Sequence, residues 1–121
     1  MSPALSVGDI CTYQRSDGAW GFFWVQRIDA MPSGGAALSL RKFDVLADDE
    51  VLAEHVDDVA ELKGLPLLGH FPIVDSRVVE ATPRVIGSMP VADEDLEGYR
   101  IWRAAYDQGE AGVFTLALEE I

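Results

Sequence analysis

The first third of the chain alternates apolar and polar residues with the two-residue period of a half-buried β-strand. Stretches rich in aromatic and β-branched residues predict strands over Asp9–Arg15, Trp20–Asp29 and Ala36–Val45. Two turn sequences separate them, Ser16-Asp17-Gly18 and Pro32-Ser33-Gly34-Gly35. Strands joined by turns this short predict an antiparallel meander, as in the opening of an SH3-like sheet.

The spacing of apolar residues changes to three or four positions between Asp49 and Leu62. This spacing predicts an amphipathic helix. Its polar stripe consists of Glu50, Glu54, Asp57, Asp58 and Glu61. No Lys or Arg interrupts the stripe, and like charges three or four residues apart repel one another. A solvated surface and a surface that attracts a basic partner are both consistent with this stripe.

The pattern after residue 64 is weaker. The predicted elements are a packed loop over Leu65–Pro72, short strands over Ser76–Ala81 and Arg84–Gly87, a loop over Met89–Gly98, and a terminal hairpin of Tyr99–Tyr106 with Gly112–Glu119. A helix around Trp102 is the alternative, because Leu96, Tyr99 and Trp102 are three residues apart. The whole pattern predicts an α+β fold with a mostly antiparallel, twisted sheet and one acidic helix.

The length of 121 residues fits one domain spanning residues 1–121, since no linker divides the chain. The formal net charge is -12, and it is segregated: residues 1–43 carry +1 and residues 44–121 carry -13. An acidic surface repels nucleic acid and anionic membranes. We therefore expect a basic protein as the partner, and neither nucleic acid nor membrane. We also expect a monomer or a weak homodimer.

The N-terminus lacks the basic and apolar regions of a secretory signal, and no apolar run is long enough to cross a membrane. Cys11 is the single cysteine, so no intrachain disulfide can form. These features predict a protein of the cytoplasm, a reducing compartment.

Catalytic motifs are absent from the sequence. The thiol and imidazole groups belong to Cys11, His55 and His70, and none lies in a recognisable catalytic or metal-binding context. The segment Asp93-Glu94-Asp95-Leu96-Glu97-Gly98 resembles the start of a calcium loop, but Ala104 stands where the bidentate glutamate is required. We expect no enzyme activity, no metal and no cofactor.

The acidic segment and the aromatic residues are the remaining candidates for partner binding. Asp93, Glu94, Asp95 and Glu97 extend the acidic surface of the predicted helix. Trp20, Phe22 and Trp24 share one face of the second strand, which favours a buried central strand. The alternative is an exposed Trp, with Trp102 as the candidate, because Trp is enriched at the anchor positions of interfaces.

Several short segments together resemble the immunity protein 26 family of bacterial polymorphic-toxin and secretion-system loci. They are Gly8-Asp9-Ile10, Asp17-Gly18, Trp20-Gly21-Phe22 with Val25, Phe43-Asp44 and Val85-Ile86-Gly87-Ser88-Met89-Pro90. Arg84 departs from the pattern, because an aromatic residue is expected there. The resemblance implies a single immunity-type domain of mostly β or α+β fold that binds and blocks a cognate toxin without catalysis. A nuclease is one such toxin.

Two other functions remain open. A small SH3-like adaptor or an effector chaperone would bind a basic protein without inhibiting it. A small acid–base enzyme would need a concave pocket in which two carboxylates or a histidine with a perturbed pKa converge.

Overall fold

The computed structural model describes residues 5–32, 34–43 and 67–118 of the chain. The predicted acidic helix lies outside these ranges. Its stripe of Glu50, Glu54, Asp57, Asp58 and Glu61 and the nearby His55 therefore have no structural description.

The described strands form a five-stranded antiparallel sheet with the order β4-β3-β2-β1-β5. The strands are β1 (Asp9–Gln14), β2 (Trp20–Ala30), β3 (Ala36–Phe43), β4 (Leu67–Val74) and β5 (Arg84–Ser88). The helical elements are α1 (Asp75–Glu80), a 3-10 turn (Asp93–Leu96) and α2 (Glu97–Asp107). The predicted α+β class and the meander opening are confirmed.

The central strand β2 is buried on both faces. Phe22 and Trp24 point to one side and Phe23 and Val25 to the other, and each is at most 1% exposed. The burial confirms that Phe22 and Trp24 of the predicted aromatic stripe belong to the core, and Trp20 is partly buried beside them. Because β2 pairs with both β1 and β3, its register fixes which residues of the neighbouring strands face inward.

Two hydrophobic clusters lie on the opposite faces of the sheet. The first surrounds Phe23 and Val25 and is covered by Val78 of α1 and by Leu118. The second surrounds Phe22 and Trp24, and the segment after β5 packs against it through residues 89 and 91. The buried thiol of Cys11 lies in the first cluster and is not paired in a disulfide.

The predicted packed loop over residues 65–72 is wrong from Leu67 onward, because this segment is strand β4. Pro72 explains why a strand is possible. Its carbonyl accepts a hydrogen bond from the Phe114 N–H, and the Val74 N–H donates to the Phe114 carbonyl, so residues 72 and 74 face away from β3. The N–H that proline lacks would therefore point to the sheet edge, where proline is tolerated.

The predicted strand over Ser76–Ala81 is also wrong, since residues 75–80 form α1. Val78 is its one fully buried side chain, while the β-branched Val79 remains half-buried. The valines suggested a strand, but a single inward side chain suits one helical turn better than a pleated strand. Packing of Val78 against the first cluster outweighs local propensity.

The predicted terminal hairpin is wrong, and the helical alternative for the stretch around Trp102 is confirmed as α2. Part of the predicted loop over Met89–Gly98 is helical as well, as the 3-10 turn and the start of α2. The described part of the expected last strand, residues 112–118, forms one parallel bridge, between Phe114 and Ile73. The three-residue spacing of Leu96, Tyr99 and Trp102 correctly indicated a helix. The short alternation of residue types after Gly112 wrongly indicated a strand.

Thr82 carries backbone strain at the end of α1. Its φ is +46°, a conformation that β-branched residues rarely adopt. It follows the C-cap residue Ala81, at a position where glycine is preferred. We expect Thr82→Gly to raise the free energy of unfolding by up to about 1 kcal/mol in urea denaturation. Ala81→Gly is the matched control and should lower the free energy of unfolding. A lower free energy of unfolding for Thr82→Gly would show that Thr82 is not strained.

Candidate partner-binding surface

Two buried side chains of β2 hold the segment that contains Asp93, Glu94, Asp95 and Glu97, which we call the acidic turn. The indole Nε1 of Trp24 donates to the Met89 carbonyl at 3.0 Å, and the Nε2 of Gln26 donates to the Asp95 carbonyl at 2.9 Å. Both side chains are buried to 99% or more. The register of β2 against β3 shifts between Val25 and Arg27, so Gln26 lies at a bulge. Bulges often redirect a side chain in this way.

A polar cluster fastens α2 to the same strand. The hydroxyl of Tyr99 donates to Asp29 Oδ1 at 3.1 Å, and the Arg27 guanidinium lies 5.6 Å from the centre of the Tyr99 ring. Burial, together with the charge of Asp29, raises the pKa of Tyr99, so the phenol stays protonated and remains a donor. Arg103 of α2 adds a longer ion pair with Asp29 at 3.9 Å. The start of α2 is thus fixed relative to β2.

Some carboxylates of the acidic turn are bonded to other groups of the protein, and others are not bonded to any described residue. Asp95 accepts a hydrogen bond from the Ala92 N–H at 2.9 Å, and Asp93 pairs with Arg100 at 3.3 Å. Glu94 and Glu97 are exposed and form no ion pair with any described residue. No ion pair within the described part of the chain therefore competes with a partner for these two carboxylates.

A pocket of about 280 Å³ separates the acidic turn from strands β3 and β4. Glu94, Asp95 and Glu97 line it on the helical side, and Arg41 and His70 line it on the sheet side. Three acidic residues and one arginine thus line the pocket, and His70 adds no charge when it is neutral. The pocket has a net negative charge that favours a cationic group.

His70 lies where α2 approaches β4 most closely. A Cβ atom placed on Gly98 would be 2.7 Å from the Cβ of His70, so this approach requires glycine in the helix. The imidazole ring also lies 5.8 Å from the Trp102 ring and 6.2 Å from the Tyr99 ring. Burial and the positive charge of Arg41 lower the pKa of His70 to about 4, which keeps the ring neutral at pH 7.

Trp102 does not occupy the exposed position expected of an anchor. It is 9% exposed, its Nε1 donates to the Gly112 carbonyl at 2.8 Å, and its ring lies 5.1 Å from that of Tyr106. The alternative of an exposed Trp102 is therefore wrong, because this side chain packs between α2 and the segment after it. The neighbouring Ile101 is 67% exposed and lines the pocket beside Glu97. Sequence reasoning missed Ile101, although its spacing of four from Glu97 places both on one helix face.

Other chemistry in the described residues is limited. Burial raises the pKa of the Cys11 thiol to about 12, which makes it a poor nucleophile. No group of three or more potential metal ligands occurs in the described ranges, and no helix there is long and apolar enough to cross a membrane. Comparison with protein-family models, curated proteins and solved structures finds no match.

We expect His70 to make the stability of the folded protein depend on pH. The folded state disfavours protonated His70, whereas the unfolded chain protonates it near pH 6.5. Its contribution to stability is therefore complete above pH 6.5 and is lost as the pH falls towards 4. We expect wild type to lose about 1–2 kcal/mol more than His70→Phe over this range, after allowance for solvent screening.

Urea denaturation at several pH values measures the difference between wild type and His70→Phe. Carboxylates titrate in both proteins, so only the difference reports on the imidazole. Parallel stability profiles between pH 6.5 and 4 would show that the ring is not held neutral.

Proposed function

We propose that this protein is an immunity protein that binds and neutralises a cognate bacterial toxin through the acidic surface at the start of α2. The observation that carries the proposal is that Glu94 and Glu97, which have no ion-pair partner among the described residues, lie beside the exposed Ile101. A charged rim around an apolar side chain is a common composition for a protein interface.

The buried attachments of this surface also favour recognition. Because Gln26 holds the backbone of Asp95, the backbone of the turn that carries the carboxylates does not have to be ordered when the partner arrives. A surface that is ordered beforehand loses less conformational entropy on binding. Complementary charge further accelerates the encounter with a basic partner.

The toxin class comes from the resemblance to the immunity protein 26 family together with this charge. A nuclease must hold a polyanionic substrate, so its active cleft is basic. An acidic surface that covers such a cleft would compete directly with the substrate. An adaptor or an effector chaperone would bind the same kind of partner and leave its activity intact.

The pocket also has the concave shape that a small acid–base enzyme needs, with a histidine and carboxylates along its walls. Two features favour binding over catalysis. A pKa near 4 makes His70 a weak base, whereas efficient general bases have pKa values near the working pH. The volume of about 280 Å³ is also slightly below the range of typical small-molecule sites.

Charge reversal at the acidic turn tests the proposal. We expect Glu94→Lys or Glu97→Lys to slow association with the toxin encoded beside this protein by about tenfold at low ionic strength, with a smaller change in dissociation. Glu110→Lys is the control, because it makes the same charge change beyond the far end of α2, an 11-residue helix about 16 Å long. Stopped-flow kinetics and an assay of residual toxin activity measure the two effects.

Equal rates for Glu94→Lys and Glu110→Lys would show that the acidic turn is not the contact surface. Tight binding by wild type that leaves the toxin active would instead favour the adaptor or chaperone.

A further inference from the structure

We propose that the pocket between the acidic turn and β4 receives one arginine side chain of the partner. The inference rests on the proposed function and specifies its central contact. The pocket is too small for an extended segment, and its concave shape suits a single inserted side chain.

The charges of the pocket favour a guanidinium. Glu94 and Glu97 lack ion-pair partners among the described residues, and both reach the same pocket as Asp95. A guanidinium presents five N–H donors in a planar fork and can bond two carboxylate oxygens at once. An ammonium acts as a point charge and cannot form this bidentate contact.

Gln26 adds an observation that is independent of the acidic side chains. This residue is 0% exposed, and its Nε2 is bonded to the Asp95 carbonyl, so its amide points from the sheet into the base of the acidic turn. Its Oε1 is buried and has no donor within the described residues. A buried acceptor without a donor is unfavourable by itself, and this one belongs to an amide that is bonded to the backbone of Asp95, a residue of the pocket.

The walls of the pocket accommodate the aliphatic part of an arginine. Ile101 offers an exposed apolar surface along which three methylene groups can pack. Gly69 and Gly98 line the pocket without side chains that would fill it. The pocket thus combines an apolar wall with a carboxylate rim, which matches the two halves of an arginine side chain.

A titration monitored by NMR tests the pocket without the toxin. The probe is N-acetyl-arginine methylamide, and the neutral citrulline analogue, of nearly the same shape, is its control. We expect millimolar affinity, with amide shifts concentrated at residues 69, 70, 98 and 101. The double variant Glu94→Gln/Glu97→Gln should lose at least tenfold in affinity, and Glu110→Gln should lose none.

A second titration uses N-acetyl-lysine methylamide, which carries the same charge without the planar fork. Three results would overturn the arginine pocket: no localised shifts, equal shifts with the citrulline analogue, or equal affinity for this lysine analogue. The outcomes separate this inference from the proposed function. A toxin that is neutralised although the pocket does not bind the probe contradicts the pocket alone. A pocket that binds the probe in a protein that neutralises no toxin contradicts the immunity function alone.

Discussion

The two-sided burial of β2 is the constraint on which the rest of the structure depends. Aromatic side chains on the two faces of β2 belong to the two hydrophobic clusters, so this strand contributes to both. A strand held in this way is also a rigid support for polar groups. Trp24 and Gln26 use that support to hold backbone carbonyls of a segment more than sixty residues away in the sequence.

The acidic turn depends on this support because its own carboxylates repel each other. Four acids occur within five residues, and only Asp93 has a described ion-pair partner there. Exposure to water limits the cost of this repulsion. The hydrogen bonds from β2 and from Tyr99 hold the turn against the sheet, where Glu94 and Glu97 remain exposed beside the pocket. Structural restraint and unpaired charge are therefore combined at one corner of the molecule.

The sequence was informative where a single period dominates. Alternation predicted β1 to β3 and their buried aromatic stripe, and the three-residue spacing of Leu96, Tyr99 and Trp102 indicated α2. The sequence was misleading at β4, where Pro72 suggested a loop. Proline is tolerated in this strand because residue 72 turns its backbone groups towards Phe114, a contact that the sequence does not reveal. The pocket of Arg41, His70 and Glu94 could not be predicted either, since these residues come from elements that meet only through long-range packing.

Hydrogen exchange of wild type and Gln26→Leu tests most directly whether β2 positions the acidic turn. Loss of the bond to the Asp95 carbonyl should reduce the protection of amides in residues 93–99. Protection of the β1–β2 pairs, such as Cys11 with Phe23, should remain unchanged. Unchanged protection over residues 93–99 would contradict the account, as would a uniform loss across the whole sheet.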